Sequence, residues 1–189
     1  MIRTPAQKIA DALICLSILA LITEAFLLPW INAFAYFQAN VAGGPTLEHL
    51  MAVFAYDFDD GLGNLLRISL ESWGHAHSAV LALFLWLVSI CGAVILIQGI
   101  RILATVADGT PFSPKNAASL RRAGQACFVI AAGALGRTMF TLFREGSAAL
   151  ASYTALLVPL FAMAGLLCLV MSALFRQAAE IKAENDLTI

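Results

Sequence analysis

Two ionisable residues lie inside apolar stretches of this 189-residue sequence and are the first candidates for chemistry: Glu24 and Arg137. A charged side chain within a membrane span costs roughly 2.5–3.5 kcal/mol on insertion scales, so it turns toward a partner or the bundle interior. If the helices that carry them run in the same direction, both lie at similar depth, roughly ten ångströms below the outer surface at ~1.5 Å per residue. An intramembrane ion pair is the expectation, serving as structural glue before any role as a proton or ion relay. The plainer alternative has Arg137 snorkelling outward and Glu24 hydrogen-bonded locally.

The remaining reactive side chains are scattered. Cys15, Cys91, Cys127 and Cys168 fall one per apolar stretch. Four converging thiolates would suit a soft metal, but no two of these share a ligand spacing, and buried cysteine commonly behaves as a small hydrophobe. His75 and His77, with His49, Asp57, Asp59 and Asp60, invite a metal reading; histidines at i, i+2 point to different helix faces and would converge only in extended backbone. No metal and no cofactor is therefore expected. No nucleophile stands beside a base, so no catalytic residue and no enzyme activity is expected either. A net charge of −1 without a basic-aromatic patch gives no basis for direct nucleic-acid binding.

The elements that position these residues follow from composition. Hydrophobic residues make up 61% and charged residues 12%, against about 45–50% and about 25% in soluble domains, so the bilayer is the expected solvent. Residues 9–31, 76–99, 123–143 and 153–175 are apolar over the roughly 20 positions a span requires. Within lipid each must satisfy its own backbone groups, which makes it a helix. The expected fold class is all-α, an integral membrane four-helix bundle in a single domain over residues 1–189. Residues 32–75 form an extracytoplasmic loop, 100–122 a cytoplasmic loop and 176–189 a cytoplasmic tail. Ala33-Phe34-Ala35 resembles a cleavage site, but the apolar run over 9–31 exceeds the roughly 7–15 residues of a signal h-region, so a retained span is expected.

Orientation follows the cations. Arg3, Lys8, Arg101, Lys115, Arg121, Arg122, Arg176 and Lys182 flank one side, against Arg67 and Arg144 on the other. The positive-inside bias puts both termini in the cytoplasm. Trp30, Tyr36, Trp73 and Tyr153 fall at the opposite boundary, where aromatic rings anchor spans.

In the outer loop Leu47, Leu50, Met51, Phe54 and Phe58 recur at helical spacing and predict a short amphipathic helix. Thr46 is its N-cap, and Asp59-Asp60-Gly61 its stop; residues 62–73 are apolar with no clear period. Such a loop folds onto the helix ends or the outer leaflet as a cap, with a ligand-sensing or partner-binding role as the alternative. In the cytoplasmic loop Asp108-Gly109 marks a turn, and Ser113 caps a helix whose first residue is Pro114. Phe112 is expected to staple onto Ala117. Phe112, Lys115, Arg121 and Arg122 form a cytoplasmic surface for a partner or for anionic lipid, which attracts each cation by roughly 1 kcal/mol. Ala132 and Gly136, beside Gly133, offer a small-residue face for packing within the chain, with a homo-oligomer as the alternative. Pro159 predicts a kink in the fourth helix, a packing feature or a moving gate.

The run Gly109-Thr110-Pro111-Phe112-Ser113-Pro114-Lys115-Asn116, followed by Leu120-Arg121-Arg122-Ala123-Gly124, resembles a family of small bacterial inner-membrane proteins. So does the tail, from Phe175-Arg176-Gln177 to Glu184-Asn185-Asp186-Leu187-Thr188-Ile189. That family is catalogued only as a domain of unknown function, number 2975. The resemblance implies a bacterial inner-membrane protein with four spans and a G-x-P-F turn before the third, a plan covering nearly the whole chain. Members often sit beside genes for small helix-turn-helix regulators, which implies a regulatory association. It supplies no active site.

Taken together, the expected function is a non-enzymatic regulatory or scaffolding role, in which the cytoplasmic loop and the mixed-charge tail meet a protein partner. The alternative is a small transporter or channel subunit built on Glu24, Arg137 and the Pro159 kink, although transport sites normally need more membrane-embedded polar groups than these.

Overall fold

A computed structural model describes residues 4–41, 46–49, 51, 58–110 and 113–187, with backbone alone for 58–62, 148, 182 and 185–187. Among the described residues every regular element is helical: α1 (Pro5–Leu27), a 3-10 turn at Leu28–Trp30, α2 (Ile31–Asn40), α3 (Phe58–Gly74), α4 (Ala76–Ala107), α5 (Pro114–Glu145), a second 3-10 turn at Gly146–Ala151, and α6 (Tyr153–Leu187). Four helical stretches are long and apolar enough to cross a membrane: Pro5–Asn40, Ala76–Ala107, Pro114–Glu145 and Tyr153–Ile181. The second and fourth begin at the residues read from the sequence. All four run beyond their apolar runs. The first is broken by the 3-10 turn at Leu28–Trp30, where Pro29 has no N–H to give an α-helical bond.

Two compact units make up the chain: Met1–Thr23 with Ile90–Ile189, and Glu24–Ser89. The first is dominated by the antiparallel pair α5–α6. Small side chains let these helices approach closely, the usual source of helix–helix contact where lipid removes the hydrophobic drive. Ala123, Cys127, Ile130, Ala134, Thr138 and Thr141 follow one another by three or four residues and are all buried, forming one stripe along α5. Beside its first residue the backbones approach closely, since a Cβ on Gly165 would lie 3.2 Å from the Gly124 carbonyl oxygen. Ser172 Oγ on α6 donates to the Ala117 carbonyl on α5 at 2.7 Å. The small-residue face expected to do this packing is another one. Ala132 and Gly136 are exposed, and a Cβ on Gly136 would meet nothing within 4 Å, because they lie around the helix from the buried stripe.

In the second unit Ala35 of α2 and Leu81 and Ala82 of α4 form a small core, with Leu85 against it. Trp86 Nε1 donates to Asn32 Oδ1 at 3.2 Å. The stop expected at Asp59-Asp60-Gly61 is replaced by a helix, since α3 runs through those residues from Phe58 to Gly74. Acidic residues are favoured in the first turn of a helix, so this run reads as a start as readily as a stop. Leu50 and Phe54 of the expected amphipathic helix lie outside the described residues. Residues 47–49 are helical, and the His49 N–H donates to Thr46 Oγ1 at 3.2 Å, as it would to an N-cap.

Candidate functional site

The region with the most local structure lies where α4 ends and α5 begins. Gly109 has φ of +75°, a left-handed conformation that favours glycine. Its N–H donates to the Val106 carbonyl at 3.1 Å, and the Thr110 N–H to the Thr105 carbonyl at 2.9 Å. These two bonds form a Schellman stop. Ser113 has extended backbone and its side chain accepts from the Asn116 N–H, with Pro114 in the first turn. Stop and start are then tied together, since Asn116 Nδ2 donates to Thr105 Oγ1 at 2.6 Å. The beginning of α1 joins them through Gln7 Nε2, which donates to the Ala107 carbonyl at 3.0 Å. The described ends of the G-x-P-F-S-P motif therefore have an architectural meaning: Gly109 follows the end of one helix and Ser113-Pro114 starts the next. Phe112 lies outside the described residues, and so does its expected staple to Ala117, which is buried.

Beyond this junction Lys115, Arg121 and Arg122 are exposed on α5. α6 continues past its apolar stretch to Leu187 as one helix. On it Arg176 Nε donates to Glu180 Oε1 at 3.0 Å. Arg121, Arg176 and Glu180 share the walls of a groove between the two helices, with alanines along it and a volume of about 420 Å³.

The two ionisable residues expected inside the membrane, Glu24 and Arg137, each have a hydrogen-bond partner in their own unit. Ser89 Oγ donates to Glu24 Oε1 at 2.9 Å, joining α1 to α4. Arg137 Nη1 donates to the Tyr153 hydroxyl at 2.6 Å, and its guanidinium lies 5.3 Å from that ring's centroid. Tyr153, expected as a boundary anchor, is thus an arginine partner, the arrangement in which a ring face attracts a cation. Pro159 lies within α6, beside a shallow pocket formed with Tyr153, Leu156 and the 3-10 turn. All four cysteines are free thiols; Cys91 and Cys127 are buried and Cys15 is exposed. Among the described residues no three His, Cys, Asp or Glu side chains gather as a metal site.

Several positioning residues escaped the sequence reading. Thr4 and Gln7 form a reciprocal cap, the Thr4 N–H to Gln7 Oε1 at 2.9 Å and the Gln7 N–H to Thr4 Oγ1 at 3.4 Å; the pattern Thr4-Pro5-x-Gln7 is the capping-box signature. Gly124 and Gly165 each stand three residues before a cysteine, a shared G-x-x-C spacing that marks where α5 and α6 cross.

Residues 66–189 match the family described as a protein of unknown function, DUF2975. The chain belongs to this family. The match takes in part of α3 and all of α4, α5 and α6, and leaves α1 and α2 outside it. The match is shorter than the nearly whole-chain coverage that the resemblance implies. No curated protein and no solved structure matches the chain.

Proposed function

We propose that this chain is a non-enzymatic regulatory or scaffolding protein of the bacterial inner membrane, with both termini in the cytoplasm, acting through residues 100–122 and 176–189. The observation that carries the reading is the length of the last two helices. α5 has 32 residues and α6 has 35, roughly 48 and 52 Å at ~1.5 Å per residue, against a hydrocarbon core of about 30 Å. The excess lies mainly beyond the apolar stretches at one end, where the start of α5 and the end of α6 line one groove as a polar platform. The cation bias supports a cytoplasmic position for that platform, and a rigid paired surface is better suited to a protein partner than a loose tail.

Affinity purification from native membranes in mild detergent tests this. The full chain should retain a stoichiometric protein partner, and removing residues 184–189 should abolish its capture. Capture that is unchanged by the deletion contradicts the proposal.

A second reading, a small transporter or channel subunit, is favoured by one observation: the half-buried carboxylate of Glu24 is accepted into a polar contact with Ser89 inside the spans. Reconstituted protein should then show a flux that Glu24→Gln removes.

A further inference from the structure

We propose that the groove between the start of α5 and the end of α6 binds the phosphate of an anionic membrane lipid. The inference needs only that these helices span a membrane, and it stands whether or not the platform also holds a protein partner.

Three features of the groove point to this ligand. The first is convergence. α5 and α6 are antiparallel and are held in register where Ser172 Oγ meets the Ala117 carbonyl at 2.7 Å. Side chains on a helix lean toward its N-terminus. Arg121 therefore leans toward Pro114, while Arg176 on the opposed helix leans back toward Ser172. The two guanidinium groups are directed onto one stretch of the groove, whose walls they share with Ala117, Ser172, Ala179 and Glu180.

The second is charge. Arg176 uses Nε for Glu180, and its terminal nitrogens keep four further N–H donors. Among the described residues Arg121 makes no ion pair. Two guanidinium groups against one carboxylate leave the groove cationic, and the forked donors of arginine match phosphate oxygens.

The third is depth. Arg121 is two residues before the apolar stretch that opens at Ala123, and Arg176 directly follows the one that closes at Phe175. In the register set by Gly124–Gly165 and Ala117–Ser172, Arg176 stands level with the start of α5 and Arg121 lies about 12 Å deeper at ~1.5 Å per residue. The two side chains therefore reach from either side toward the level of Ala117 and Ser172, at the polar edge of the apolar stretches. A volume of about 420 Å³ admits a phosphate with its glycerol while leaving the acyl chains in the bilayer. A phosphatidylglycerol-type headgroup carries a net negative charge, whereas a zwitterionic one brings its own cation into a site that already holds two. An acidic segment of a protein would answer the same charges, but lipid phosphate is already present at this depth.

The test uses the purified full-length chain, without any partner, in neutral detergent with added phosphatidylglycerol or phosphatidylcholine. Native mass spectrometry reads the lipids retained, and thermal unfolding reads their effect on the midpoint. Phosphatidylglycerol should be retained selectively and should raise the midpoint. The Arg121→Gln/Arg176→Gln double variant should lower its occupancy about tenfold. Arg144→Gln, which removes a cation at the other end of α5, should leave occupancy unchanged. Glu180→Gln releases Arg176 and should raise occupancy about two- to threefold, a gain that a misfolded variant would not give. Equal retention of the two lipids, or equal losses from Arg144→Gln and the double variant, would overturn the assignment. So would a groove that ignores both lipids and selects an acidic peptide instead.

Discussion

Gly124 and Gly165 bring two helix backbones into contact: a Cβ added to Gly124 would lie 3.1 Å from the Gly165 carbonyl oxygen and 3.2 Å from Cys168 Cβ. Neither neighbour is the end of a flexible side chain, so a bulky residue at 124 must push the helices apart. Gly124→Leu should lower stability by about 1–3 kcal/mol, the usual cost of overpacking. Gly136→Ala, at a position with nothing within 4 Å of the added carbon, should be neutral or stabilising through helix propensity. Thermal unfolding in one detergent compares them directly. Equal effects at the two glycines would contradict the assigned α5–α6 crossing.

Gln98 is 6% exposed, and its Oε1 has no hydrogen-bond partner among the described residues. A buried acceptor left unsatisfied costs about 1–3 kcal/mol, and an apolar side chain of similar shape removes that cost. Gln98→Met should raise the unfolding midpoint. A lower midpoint would mean that the amide is held by a group the fold requires.

Glu24 accepts its hydrogen bond from Ser89 through one carboxylate oxygen, a role the amide oxygen of glutamine can fill. Glu24→Gln should therefore leave stability within about 0.5 kcal/mol of the parent. Its effect on function separates the two readings. Unchanged partner capture agrees with a scaffold, and loss of a measured ion or solute flux would favour transport.

Much of this architecture is legible in the residues, for identifiable physical reasons. Span starts at Ala76 and Tyr153, and the cap at Ser113-Pro114, depend on local composition and local hydrogen bonding, which a sequence displays. The choice between Gly124/Gly165 and Ala132/Gly136 depends instead on helix register and azimuth, and both runs of small residues satisfy the same spacing rule. The Asp59-Asp60-Gly61 run is locally ambiguous for a different reason, since acidic residues suit a helix start while glycine suits its end. Depth in the membrane could be counted for Glu24 and Arg137, but the hydrogen bonds to Ser89 and Tyr153 depend on which way each helix is turned. The Thr4–Gln7 cap was there to be read. The groove at Arg121 and Arg176 was half legible: the basic face on α5 is plain in the sequence, whereas its pairing with α6 requires the antiparallel register.

The most direct test of the proposed function is site-specific photo-crosslinking in native membranes, with the photoreactive residue placed at Ala183 on the α6 platform and, for comparison, at Leu156 near the other end of the same helix. The platform account predicts a discrete protein adduct from Ala183 that recurs between preparations, disappears when residues 184–189 are removed, and is absent from Leu156. Adducts from Ala183 that contain lipid alone, or the same protein adducts from both positions, would contradict it.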